Sequence, residues 1–573
     1  MLTDARHVAD GETIRAQVCV VGAGPAGLAL AAEFCDRGFD VCLLESGGFE
    51  YEEATQSLAH TEVDEREDLY PNAYWCYSRM LGGTANQWCI YIDGQIHVRY
   101  KPLDPIDFTK RDWVPFSGWP ISRQDLDPYY ARAHAVCQAG PYRYAPEDWC
   151  DGRTEPLRFE SGRVVTNMFQ FGPRDAYTKT LKERIERAQN VRCMLHANVV
   201  ELETDPDGRT VTAARVACLA GPVFRVEAKY FALAQGAYEV PKLLLMSNGV
   251  HQNGLGNQHD LVGRFLNDHQ IVRAGVLKSQ DPGLVERLAL YDLRKSHGHP
   301  VIGKLSLAPE VTREEGLLNI ANAFIPRHQS FLARCLQSIY FRGTTSRSTG
   351  YRSARKILDA IRQRRLPVNM GHHLLEIIKG LDDILYVKTR SEPWLKPRYG
   401  VDQGGWSEVP AEKRGFSEFE IVQLAEQAPD PENRITLCPG RDRLGLPMAK
   451  IFWRWNDIDI RSICRTQDIL KAELASAGLG ELEIERRDAI PLQVQTSAHH
   501  PAGTARMADD PKQGVVDAEC RVHGIDNLYV ASSAVFPASG YSNPTLTIVA
   551  VALRVADRLR KALEEEERTT VAA

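Results

Sequence analysis

The segment VVGAGPAGLAL at residues 20–30 constrains what this chain can fold into more than any other feature. The apolar run Val18-Cys19-Val20-Val21 predicts a buried parallel strand, after which Gly22, Gly24 and Gly27 fill the three glycine places of a GxGxxG turn. Gly22 permits the tight turn. Gly24 lets the backbone approach a pyrophosphate, and Gly27 lets the following helix lie against the strand with its N-terminal N–H groups toward the phosphates. Pro25 suits the first helical turn. The helix is expected to run to about Arg37, with Gly38 as a left-handed stop. A second strand, Val41-Cys42-Leu43-Leu44, delivers Glu45, 18 residues beyond Gly27, where an acid accepts hydrogen bonds from a ribose. These elements in register predict a dinucleotide site on a doubly wound α/β sheet, without separating FAD from NAD.

A length of 573 residues exceeds one ordinary core, so two intertwined domains are expected. Residues 1–100, 190–275 and 490–573 are expected to build the dinucleotide-binding domain, with strands at 192–195 and 230–234 returning to its sheet. Residues 101–189 and 276–489 are left for a substrate-binding domain with its connecting segments. There the alternation at 434–437 and 449–453 predicts strands, and 457–478 has helical spacing with a stop at Gly478. The glutamate run 564–567 reads as a fraying, solvated helix end.

The net charge of −6 and a pI near 6.3 offer no general footprint for nucleic acid. Thirteen cysteines, spread from Cys19 to Cys520 without a CxxC pair, read as reduced core thiols rather than a disulfide framework or zinc site, and no metal is expected. The N-terminus MLTDARHVADGETIRAQ shows no basic apolar leader, and no apolar run reaches the roughly 18 residues of a membrane helix. The expectation is therefore a cytoplasmic chain without an integral membrane segment, exported only with a partner. Between 342 and 365, eight basic residues (Arg342, Arg347, Arg352, Arg355, Lys356, Arg362, Arg364, Arg365) face the single acid Asp359. They read first as a solvated helix face, with a membrane surface, a partner subunit or an anionic substrate as alternatives.

Two further stretches, SRMLGGTANQWCI at 78–90 and the block HHPAGTARM…NLYVASSAVFPASGYSNPTLTI between 499 and 548, resemble the glucose-methanol-choline (GMC) family of FAD oxidoreductases. GAYEVPKLLLMSNG at 236–249 is similar to the family's second signature, with Val240 where a hydroxyl residue is usual. The stretch 102–133 resembles a bacterial branch, like pyranose oxidase and glucoside 3-dehydrogenase, that works on sugars and related secondary alcohols. The resemblance implies a Rossmann-type FAD domain intertwined with an α+β substrate domain built on an antiparallel sheet. It makes Gly82, Gly83 and Thr84 the flavin loop, sets a backbone group of Val199 against adenine, and brings Ser532 and Ala534 to the pyrophosphate. Ser532 stands where relatives commonly have aspartate. Gln87 stands four residues after Gly83, where members with covalently attached FAD carry a linking histidine, so non-covalent FAD is expected.

Hydride leaves a carbinol carbon for flavin N5 only if the hydroxyl proton leaves too, which requires a base within hydrogen-bond reach, and histidine suits that task near neutral pH. Of sixteen histidines, His500 opens HPAGT and matches the family's catalytic base, with His499 as its rival. Asn543 matches the position of a second histidine or asparagine. After Pro544, a helix from Thr545 to about Arg560 would turn its positive end toward the reduced flavin. Glu426, Gln427 and Arg434 read as surface polar residues, with a pocket role as the alternative. The expected reaction is oxidation of a small-molecule alcohol, a sugar or glycoside first, with oxygen, a quinone or an electron-transfer protein as acceptor. A hydroxylated natural-product intermediate as substrate, or a flavin-containing lyase, are the alternatives.

Overall fold

Continuous apolar runs and alternating ones sort into different sheets. The computed structural model describes residues 1–63, 70–88, 90–328, 357, 370–379, 404–414, 416–487, 490–495 and 497–572. The continuous runs Thr13–Val21, Val41–Leu44 and Val191–Leu195 pair in parallel, with Leu2–Asp4 at one edge. Val223–Leu233 continues the parallel set on the other side of Thr13–Val21, and Leu528–Val530 adds to it from far along the chain. Val211–Ala217 and Asn198–Thr204 extend this eight-stranded sheet antiparallel. Helices Pro25–Ala32 and Thr545–Ala572 pack against each other beside it, and their apolar residues belong to one continuous core.

An eleven-stranded sheet, antiparallel at every pairing, forms the second layer. Its centre is Gln270–Lys278, Phe416–Ala425, Ile320–His328, His299–Leu307 and Val164–Pro173. Ile90–Ile92, Gln95–Tyr100 and Ile490–Gln495 pair here too, so pieces of 1–100 and 490–573, expected on the dinucleotide side, cross into the antiparallel layer. Arg434–Arg441 and Pro447–Phe452 do form strands, in a separate three-stranded sheet with Thr61–Val63.

Of three expectations about helices, two need adjustment. The first helix stops at Ala32 rather than near Arg37, and tighter turns follow. The side chain of Asn190 accounts for this, because its Nδ2 donates to Phe34 O at 2.8 Å and Phe39 O at 2.7 Å and its Oδ1 accepts from Asp36 N, taking groups a longer helix would need. The helix Asp457–Ser476 ends as expected, with Gly478 in the left-handed region at φ 62°. The last helix runs past Arg560 to Ala572, and its glutamates do not all fray: Glu566 accepts from Lys229 Nζ at 2.8 Å and Tyr230 OH at 2.5 Å. The basic residues at 342–365 lie outside the described residues. No helix among the described residues is long and apolar enough to cross a membrane.

Candidate active site

At the C-terminal ends of the parallel strands, where open α/β sheets bind ligands, the backbone of the fingerprint is tightly specified. Gly22, at φ 99°, donates its N–H to Leu44 O at 2.7 Å. A Cβ on Gly27 would lie 1.8 Å from Gly22 O, so only glycine lets the helix sit this close to the strand. At Gly24 the situation is reversed, because an added Cβ would meet nothing nearer than Gly83 Cα at 3.9 Å. Gly24 is thus kept small toward open space, which suits a ligand rather than a packing neighbour.

The loop at 82–87, expected to lie at the flavin, reaches this turn directly. Gly82, at φ 89°, donates to Ala23 O at 2.9 Å, and a Cβ on Gly83 would come within 3.0 Å of Gly24 Cα. Thr84 and Gln87, both half-buried, follow in the short turn Gly83–Gln87. The amide of Asn86, which the sequence reading passed over, ties that turn down by donating to Leu81 O at 2.9 Å and Gly83 O at 3.0 Å. Glu45 is buried and accepts from the N–H groups of Ala23 at 2.9 Å and Gly47 at 3.0 Å. The turn before Val199 docks beside it, with Ala197 N donating to Glu45 O at 2.8 Å. Val199 itself is in the edge strand Asn198–Thr204.

Ser532 Oγ accepts from Ala534 N at 3.2 Å, capping the turn Ser533–Val535. That turn is laced to the segment after His500 through Ala505 N to Ala534 O at 2.8 Å and Ser533 Oγ to Pro501 O at 2.7 Å. Because Ala531 N also donates to Leu233 O at 2.8 Å, Ser532 and Ala534 stand at the same end of the sheet as Gly22. A glycine turn with open space at Gly24, a buried carboxylate beside it and the start of a helix at Pro25 fit a dinucleotide.

His500 and Asn543, 43 residues apart, meet: Asn543 Nδ2 lies 3.2 Å from His500 Nε2. Asn543 is 6 % exposed and its Oδ1 is buried without a hydrogen-bond partner. Thr545 then opens the helix Thr545–Ala572. The other ring nitrogen of His500, Nδ1, lies 3.0 Å from Nδ1 of His269. Asp268 holds the backbone, accepting from His500 N at 3.0 Å and from the hydroxyls of Ser497 and Tyr70. His499 is in the left-handed region at φ 58°, and its N–H donates to Ser497 Oγ at 2.9 Å. This turn presents His500, not His499, to Asn543.

Burial sets the charge states here. It lowers the proton affinity of His500 well below the ordinary value, helped by His269, Arg99, His499 and Lys304, and it brings His269 and His499 down to about 4. Burial pushes Asp268 up to about 6 against the hydrogen bonds it accepts. Among the described residues no group of His, Cys, Asp and Glu is arranged to hold a metal.

Asp268 and His269 were missed in the sequence, although an adjacent acid and histidine just before the apolar strand Gln270–Lys278 gave a signal. Glu426 and Gln427, read as surface residues, are buried at 1 % and 0 % exposure. Arg111 grips both Glu426 oxygens, and Gln427 Oε1 accepts from Asp268 N at 3.0 Å and Trp453 Nε1 at 2.9 Å. Arg434 pairs instead with Asp260 at 3.0 Å on an exposed rim.

Fold and site together define a dinucleotide-dependent oxidoreductase. Residues 17–255 match the profile described as FAD dependent oxidoreductase, and residues 429–552 match that of GMC oxidoreductase. The chain is similar to the GMC oxidoreductases in its C-terminal part and is an FAD-dependent oxidoreductase acting on CH–OH groups. It is similar to the fructose dehydrogenase large subunit of Gluconobacter japonicus, with 27% identity over 97% of this chain and 99% of the relative. It is also similar to 6'''-hydroxyparomomycin C oxidase of Streptomyces lividus, with 23% identity over 94% of this chain and 90% of the relative. Pyridoxine 4-oxidase shares the fold at a TM-score of 0.50 and 16% identity, over 95% of this chain and 99% of that one.

Proposed function

We propose that this chain oxidises a secondary hydroxyl of a sugar or glycoside to a ketone, with His500 as base, Asn543 as partner of the reacting oxygen, and FAD held without a covalent link. The 3.2 Å approach of Asn543 Nδ2 to His500 Nε2, beside an unsatisfied Asn543 Oδ1, carries the reading. A substrate hydroxyl that displaces this direct contact gives its proton to Nε2 and accepts a hydrogen bond from Nδ2. The asparagine amide cannot take up that proton, so His500 is the base of the pair. FAD, when bound, supplies the acceptor for the carbinol hydride.

The cradle assigned to it comprises Gly22, Gly24, Gly27, Glu45, Gly82, Gly83, Thr84, Gln87, Val199, Ser532, Ala534 and Thr545. Gln87 has no nucleophilic ring nitrogen, which supports non-covalent binding. The similarity to fructose dehydrogenase over nearly the whole chain supports a sugar substrate. The similarity to 6'''-hydroxyparomomycin C oxidase favours, as a second reading, a hydroxylated natural-product intermediate.

Anaerobic mixing with D-fructose, D-glucose, methyl glycosides and simple primary alcohols tests the proposal. The flavin should bleach with a sugar or glycoside and yield a keto product. Bleaching by primary alcohols alone would reject it, and so would turnover without any bleaching, which is the behaviour of a lyase. Exposing the substrate-reduced enzyme to oxygen and separately to a quinone then identifies the acceptor.

A further inference from the structure

We infer that His269 is a positioning residue that fixes the tautomer of His500, leaving the basic lone pair on Nε2, where the reacting hydroxyl is bound. The inference rests on the proposal that His500 is the base.

Asn543 Nδ2 can only donate, so His500 Nε2 at 3.2 Å must accept. A neutral imidazole whose Nε2 accepts carries its proton on Nδ1. That proton needs an acceptor, and Nδ1 of His269 lies 3.0 Å away. The opposite assignment, with His269 donating, would place a proton on His500 Nε2 and point two N–H groups at each other across the contact with Asn543. His269 is 0 % exposed, and with Nδ1 accepting, its own proton lies on Nε2, a buried atom without a hydrogen-bond partner whose proton the nearby backbone of Ser539 and Gly540 favours only against the larger effect of burial. Both rings stay neutral for the same reason, burial.

The backbone is arranged to hold the rings in this relation. Asn267 N donates to Ala502 O at 3.1 Å and Ala502 N returns to Asn267 O at 2.9 Å, while Ala498 N donates to His269 O at 3.1 Å. Residues 267–269 and 498–502 therefore move as one unit, with Asp268 holding the main chain of His500 and His269 holding its ring. The two rings stand at 80° with centroids 5.0 Å apart, and their Nδ1 atoms meet at 3.0 Å. When the substrate O–H bond breaks and a new N–H bond forms at Nε2, the C=O bond forms and the carbinol hydride would pass to the acceptor that FAD supplies when bound. The bond from Nδ1–H to His269 then becomes charge-assisted and stabilises the imidazolium.

The test combines a spectrum with kinetics. Imidazole ¹⁵N spectra of histidine-labelled holoenzyme, with the His500 signals assigned by comparison with His500→Ala, should show Nε2 as the nitrogen without a proton and Nδ1 as the protonated one. In His269→Leu the two tautomers should mix, and flavin reduction by whichever panel sugar bleaches the wild type should slow about 10²-fold or more, with FAD content and KM retained. In a serine-protease triad, mis-setting the tautomer costs about 10⁴-fold. His269→Gln, which returns an acceptor oxygen, should recover at least ten-fold of that loss. A wild-type spectrum with the proton on His500 Nε2 overturns the inference, as does a His269→Leu enzyme that reduces at the wild-type rate. If His269→Leu does not fold, a His269→Gln enzyme as slow as His500→Ala overturns it too. A His500→Ala enzyme that reduces normally instead rejects the base assignment itself, which separates the two failures.

Discussion

A base works only while it is neutral, and at His500, the base proposed above, neutrality is enforced by burial and by the cations and histidines around it. Its folded-state proton affinity lies below the ordinary histidine value of about 6.5, so the sign is fixed: the active form persists as pH falls through 6.5 and is lost only at lower pH. The rate of flavin reduction should therefore hold level from neutral pH to below 6.5. A midpoint at or above 6.5 in stopped-flow traces would contradict this. His500→Ala should leave FAD bound and slow reduction by about 10²–10⁴-fold, the usual worth of a positioned general base. Asn543→Ala removes a hydrogen bond but not the base, so its loss should be intermediate. His499→Ala should cost much less, because its ring is not the one presented to Asn543. Severe loss in the His499 variant with near-normal reduction in the His500 variant would reverse the assignment.

Two glycines in one turn are under opposite constraints. A Gly27→Val side chain would begin 1.8 Å from Gly22 O, so helix and strand must separate and little folded protein is expected. Gly24 has ordinary extended dihedrals, φ −78° and ψ −172°, and its Cβ direction is open. Gly24→Val should therefore fold with near-normal far-UV dichroism yet purify poor in flavin, because the valine occupies the pyrophosphate's space. A flavin-replete Gly24→Val enzyme would refute the cradle. These glycines were legible in the sequence because their requirement is local, one strand, one turn and one helix. The helix end was not, since Asn190, 156 residues from Phe34, decides it through a side-chain hydrogen bond. Glu426 was misread for a similar reason: a lone glutamate before a strand looks solvated until Arg111, 315 residues away, is seen to pair with it in the core. His500 and Asn543 could be read from their motifs, whereas the link from His500 to His269 exists only once the two segments pair.

Segments far apart in the chain converge on the proposed cofactor site: the fingerprint at 22–27, Glu45, the loop at 82–87, the turn before Val199 and the turn at 532–534. Each is small, and only the folded sheet brings them together, through the pairing of Leu528–Val530 with Val223–Leu233 and of Val223–Leu233 with Thr13–Val21. Binding at such a site should be linked to global stability, because the unfolded chain retains no cradle. Free FAD at about 100 times its Kd should stabilise flavin-stripped protein by about 2.7 kcal/mol, read as a higher melting temperature that climbs further with FAD concentration. With Gln87 in place of a linking histidine, unfolding should also release the flavin intact. After heat or acid precipitation the yellow colour should stay in the supernatant and co-migrate with authentic FAD in chromatography. Flavin that sediments with the protein and survives washing in denaturant would show a covalent bond at some other residue and overturn the non-covalent assignment. A melting temperature indifferent to added FAD would show that these segments do not assemble the binding site as a unit.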